Sequence, residues 1–86
     1  MTTATPLKLR KEVHWFAQEM ERKLRKNDHK RHWSHCEAQH LSMRLTQERE
    51  ELRRAVACGD PDEILSEAAD VGNFAMMIAD VARRSK

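Results

Sequence analysis

The chain has 86 residues, 35% of them charged and only 5% aromatic, with a formal net charge of +2. A single domain, 1–86, is all this length allows, and a domain this small buries only about 60–65% of its unfolded surface. Two cysteines, Cys36 and Cys58, are too few to staple it as small secreted scaffolds are stapled. Oligomerisation is the remaining common remedy, so a homo-oligomer is expected. No stretch approaches the ~18 consecutive apolar residues of a membrane span. Met1 to Lys11 lacks the apolar run of a signal peptide. Both points lead to the expectation of a cytoplasmic protein with reduced thiols and no membrane partner.

Residues 1–6 read as a flexible tail, with Pro6 placed for the first turn of a helix. Val13, Phe16, Ala17, Met20 and Leu24 recur at helical spacing and predict a first helix from about 7 to 26. Asn27 to Ser34 has no apolar period and reads as a loop. Leu41, Leu45, Leu52 and Val56 form the stripe of a second helix starting near 35–38. Cys58-Gly59-Asp60-Pro61-Asp62-Glu63 is the clearest boundary. Gly59 suits a left-handed C-terminal cap, Asp60 an N-cap, Pro61 the first helical position and Glu63 the carboxylate of a capping box. The third helix then runs from about 61 to 83, closed by basic Arg83 and Arg84. The short turn makes helices two and three antiparallel neighbours. No strand-like alternation appears, so the fold class is all-α, a three-helix chain.

Charge is split along the chain. Residues 1–40 carry nine Lys/Arg against five Asp/Glu (+4), and residues 41–86 seven against nine (−2). Two acidic pairs stand where solubility would not put them. At 100° per residue, with Leu41 at 0°, Glu48 falls at about −20°, inside the apolar stripe, and Glu51 at about −80°, on its edge. In helix three, Ile64, Ala68, Val71, Ala75, Ile78 and Ala82 form one stripe. Glu67, Asp70, Phe74, Met77 and Val81 form a second band, while Asn73 and Asp80 share the remaining side with Met76 and Ser66. A helix apolar nearly all round is buried in a bundle or an assembly. Four carboxylates facing a dry interior repel one another and are costly to bury. A hard divalent cation such as Mg²⁺, which takes oxygen ligands, removes that conflict. The plainer reading is pairs that are solvated or bonded to a nearby Arg44, Arg49 or Arg53.

Gln-Glu-Arg-Glu-Glu-Leu (47–52) followed by Glu-Ala-Ala-Asp (67–70) resembles the MazG-like all-α nucleoside triphosphate pyrophosphohydrolases, whose signature is E-x-x-E, a spacer, then E-x-x-D. The flanks Trp15 to Met20, Asn27 to Lys30, Trp33 and Glu67 to Asp80 look like the short phage branch of that family. This chain has Arg31-His32 where those members have Gly-Gly, and Gln47 where the family often has a further acid. The resemblance covers about 14–82. It implies an oligomeric four-helix-bundle MazG-like fold built from two chains, often paired again, hence a dimer or tetramer. It also implies cleavage of the α–β phosphoanhydride to give a monophosphate and pyrophosphate, with two or three Mg²⁺ or Mn²⁺ per site on Glu48, Glu51, Glu67 and Asp70. Members of the MazZ type act on dGTP and dATP and supply dGMP to a 2-aminoadenine phage genome pathway, which would place the protein in a host cytoplasm.

On that reading Glu48 or Glu51 doubles as catalytic general base. Lys30 is the first choice for a phosphate contact, with Lys23 or Arg31 second, and a solvated face is the alternative for each. Phe16, Met20 and Trp33 would wall or stack on the base, with core packing as the alternative for the first two. Asn73 could bond the sugar or base, or pair with Asp80. Asn27 and Asp80 belong to the matching flanks and join the substrate-binding set on that ground. Two rivals stand beside this. His32, His35, Cys36 and His40 suggest zinc, but their spacing matches no closed zinc pattern. A basic helical nucleic-acid- or partner-binding module without catalysis is the other; Lys and Arg gather on no clean face, so no stable nucleic-acid binding is expected.

Overall fold

The computed structural model describes residues 6–85. Its regular structure is helical: α1 (Lys11–Lys26), a 3₁₀ turn (Trp33–His35), α2 (Ala38–Cys58) and α3 (Pro61–Arg84). No described helix is long and apolar enough to cross a membrane. Apart from Pro6, the tail expected over 1–6 lies outside the described residues.

The first helix begins four residues later than its apolar spacing suggested. Arg10, in extended backbone, is its N-cap and offers no side-chain acceptor. Residues 7–10 hold no Ser, Thr, Asp or Asn to satisfy the free N–H groups of an earlier first turn. Pro6 accordingly stands outside the helix. The other boundaries are sharper. Gly59 has φ 84 in the left-handed region, and its N–H donates to the Ala55 carbonyl at 2.9 Å. Asp60 Oδ1 accepts from the Asp62 N–H at 3.0 Å, and Pro61 follows as first residue of α3. The cap bond thus goes to Asp62, where the capping-box reading assigned a role to Glu63.

Helix α3 is the centre of the fold, with α2 and α1 packed on different sides of it. Arg44 lies over Phe74 and Glu48 meets Asp70, so partners step in opposite chain directions and α2 runs antiparallel to α3. On the α1 side, Gly72 makes the approach possible. A Cβ there would lie 3.0 Å from Phe16 Cε2 and 3.4 Å from Met20 Sδ. Asn73 Nδ2 then donates to the Met20 carbonyl at 3.0 Å, tying α1 to α3.

The buried line of α3 differs from the apolar stripes. Ala69, Asn73 and Asp80 are buried, whereas Ala75 and Ala82 are exposed. Asn73 and Asp80 are buried where their side chains bond to other elements, the Met20 carbonyl on α1 and Trp33 Nε1 in the 3₁₀ turn. Leu41, 2% exposed, Ala55 and Ala69 are the buried apolar residues among those described. Val56, placed in the α2 stripe by spacing, is exposed.

Candidate functional site

Glu48 on α2 and Glu67 and Asp70 on α3 each present an oxygen within 4.8 Å of the others. The helix phases explain the meeting. Glu48 sits among the inward leucines of α2, and Glu67 and Asp70 are one turn apart on α3, so three carboxylates converge across the antiparallel contact. Glu48 is 8% exposed, and its Oε2, like Oε2 of Glu67, is buried with no hydrogen-bond partner. Buried polar atoms are rarely left so.

Electrostatics mark the same place. Loss of water around Glu48 lifts its carboxyl to about 7, helped by a hydrogen bond and negative charge from Glu51 and by Asp70, with Arg44 opposing. Burial also raises Glu67, with the charges of Glu51 and Asp70 adding and Lys23 opposing. Glu51 is exposed but close enough to disturb both. All four signature acids therefore share one locus, three at its centre and Glu51 at its rim.

Two cations touch the cluster. Arg44 Nη2 lies 3.3 Å from Glu48 Oε1, and its guanidinium stands over the Phe74 ring, 5.2 Å from the centroid. Lys23 reaches across from α1, with Nζ 3.3 Å from Asp70 Oδ2 and a 2.8 Å hydrogen bond to Ser66 Oγ.

A cleft of about 570 Å³ opens beside the acids, bordered by Glu48 and Asp70. Such a volume suits a nucleotide-sized ligand. Lys23, Asn27, Lys30, Arg31, Trp33 and Asn73 line it. Phe16 and Met20 lie outside that lining, packed where α1 crosses Gly72. Asp80 is also outside it, and acts by holding Trp33. Trp33 Nε1 donates to Asp80 Oδ2 at 3.0 Å, while Arg83 and Arg84 pair with the same carboxylate. These bonds, the Trp33 donor first, hold Asp80 down at about 2. Asn73 therefore does not pair with Asp80. Its Nδ2 is committed to Met20, which orients Oδ1, buried and without a partner, in a residue 4% exposed on the cleft wall.

Sequence reading had assigned no cleft role to Arg44, Phe74, Met77, Leu41, Cys36 and His40, which all line it. Arg44 carried a signal, since it precedes Glu48 by four residues on the same face. The donors at 32–40 do not gather as Glu48, Glu67 and Asp70 do; Cys36 is a free thiol, and His32 stacks on Trp33 and accepts from the Ser34 N–H through Nδ1. No protein-family model, curated protein or solved structure matches the chain.

The residues fit a divalent cation. The donors are all hard carboxylate oxygens, as Mg²⁺ and Mn²⁺ prefer, and two of these oxygens are buried without any other partner.

Proposed function

We propose that this chain is a metal-dependent pyrophosphohydrolase of the MazG-like kind, cleaving a nucleoside triphosphate between the α and β phosphates to give a nucleoside monophosphate and pyrophosphate. The observation that carries the reading is the convergence of Glu48, Glu67 and Asp70 within 4.8 Å from two helices, beside a nucleotide-sized cleft.

Glu48, Glu67 and Asp70 would hold Mg²⁺ or Mn²⁺, with Glu51 joining from the rim; an ion held there would supply positive charge to phosphate oxygens and acidity to a nearby water. The chain's own groups do the rest. Glu51, exposed and not needed to complete the central triad, is the better placed of the two signature acids on α2 to take the proton of the attacking water. Lys23, Lys30 and Arg44 offer positive charge to the triphosphate and to the departing pyrophosphate. Trp33 and Phe74 supply aromatic walls for a base, and Asn73 Oδ1 can accept from a donor on the sugar or base.

The proposed substrates are purine deoxynucleotides, dGTP and dATP, with dGMP supply to a 2-aminoadenine genome pathway as the corresponding role. Incubation with each dNTP and Mg²⁺ tests this, with pyrophosphate and dNMP as readouts. Release that depends on metal and falls at least ~100-fold in Glu48→Gln and Asp70→Asn is the expected result. Tight DNA binding without pyrophosphate release would favour the non-catalytic binding module.

A further inference from the structure

Two cations stand at a cluster of four acids. Lys23 and Arg44 come from different helices, α1 and α2, yet each ends 3.3 Å from a cluster oxygen, of Asp70 and of Glu48 respectively. These separations exceed the roughly 2.7–2.9 Å of a tight charge-assisted hydrogen bond. Neither cation completes the cluster, since Glu48 Oε2 and Glu67 Oε2 stay buried and unpartnered. Both residues also line the cleft. Each already has a second contact that does not depend on the acids: Arg44 over the Phe74 face, Lys23 on Ser66 Oγ.

We infer that Lys23 and Arg44 are exchange cations: they hold the carboxylates while no divalent ion is bound, yield them to the ion, and turn their charge toward the polyphosphate. This rests on the metal-binding reading above. Loose ion pairs poised over a cleft serve that end, because a cation fully bonded to Glu48 or Asp70 would block the ion and be unavailable to phosphate. The consequence has two opposite signs. A resident positive charge beside the acids opposes a divalent ion by Coulomb repulsion, so its removal strengthens metal binding in the absence of nucleotide. The same removal takes an anion ligand from the cleft and weakens nucleotide binding. A purely structural ion pair could share the first sign, but its removal would lower stability and leave nucleotide binding unchanged.

The test measures Mn²⁺ binding to the full chain by calorimetry, first alone and then at saturating Mn²⁺ with the non-cleavable α,β-imido analogue of dATP. Lys23→Met and Arg44→Met are expected to bind Mn²⁺ alone about three- to tenfold more tightly. They should bind the analogue about tenfold more weakly, a typical loss for one charge-assisted contact. Arg44→Lys, which keeps the charge, should stay close to the parent in both. Should a methionine variant lose its helical circular dichroism, Lys23→Gln or Arg44→Gln gives the same comparison. Unchanged or weakened Mn²⁺ binding in the folded variants overturns the inference, as does unchanged analogue binding. A parent chain that binds no Mn²⁺ overturns the metal-centre reading and this inference with it. Mn²⁺ binding that ignores both substitutions overturns the inference alone.

Discussion

Burial lifts the Glu48 carboxyl from an ordinary 4.5 to about 7, ahead of the hydrogen bond and charge of Glu51 and the charge of Asp70. An acid raised in the folded state binds its proton more tightly there than in the unfolded chain. Stability is therefore lost as pH climbs from about 4.5 to about 7, and the full penalty stands above that window. Metal-free protein should melt at a lower temperature at pH 8 than at pH 5. Glu48→Gln removes the buried charge and should raise the pH 8 midpoint by about 5 °C, the shift that ~1 kcal/mol gives in a domain this size. Saturating Mn²⁺ should stabilise the parent at pH 8 by mass action and leave Glu48→Gln nearly unmoved. Thermal scans at the two pH values check this, and a parent already as stable as the variant at pH 8 would refute the penalty. The same residue shows what the sequence could reveal: helical phase alone put a carboxylate among leucines. Arg44 was harder to place, because its cleft position depends on Phe74, thirty residues away across the α2–α3 contact.

At the scale of elements, the α2–α3 turn was readable because each residue there does one backbone task. Gly59 takes a positive φ, Asp60 accepts an N–H and Pro61 starts a helix where no donor is needed. Nothing lies within 4 Å of a Cβ added to Gly59, so Gly59→Ala tests the backbone conformation alone. It should cost about 1–2 kcal/mol, seen as a midpoint lowered by several degrees with Mn²⁺ affinity intact. An unchanged midpoint would mean that the left-handed cap carries no strain for alanine. Where no residue carries such a task, the boundary leaves no trace in the sequence. Arg10 caps α1 without a side-chain bond, so its start left no local mark. The 3₁₀ turn at Trp33–His35 was invisible as well, since what fixes Trp33 is Asp80, forty-seven positions along the chain. Asp80 and Asn73, expected as substrate contacts on the remaining side of the α3 wheel, are buried because their partners lie on other elements.

Across the whole molecule, the chain leaves much of its apolar surface uncovered. Leu7, Leu9, Val13, Met43 and Val56 are half or more exposed, and Trp15 nearly so. Ala75 and Ala82 face outward on α3, while Leu41, Ala55 and Ala69 are the buried apolar residues described. With Leu24, Leu45, Leu52, Ile64, Phe74 and Met77 only half-buried around that core, apolar burial within one chain is thin for the roughly 5–15 kcal/mol of an ordinary folded domain. Association that covered this surface would supply a further term, since apolar burial contributes about 25 cal/mol per Å². Folding and assembly should then be linked. The thermal midpoint should rise by several degrees as protein concentration increases a hundredfold, because the assembly, unlike the unfolded chain, responds to mass action. Light scattering at the high end should return twice or four times the chain mass. Val56→Glu and Trp15→Glu introduce a charge at exposed positions, so within a single protomer each should alter stability by less than about 0.5 kcal/mol. If those positions are covered by a second copy, either substitution should shift the mass toward one chain and lower the midpoint together. A single-chain mass with a midpoint independent of concentration would mean that the thin core suffices, and the linkage would be wrong.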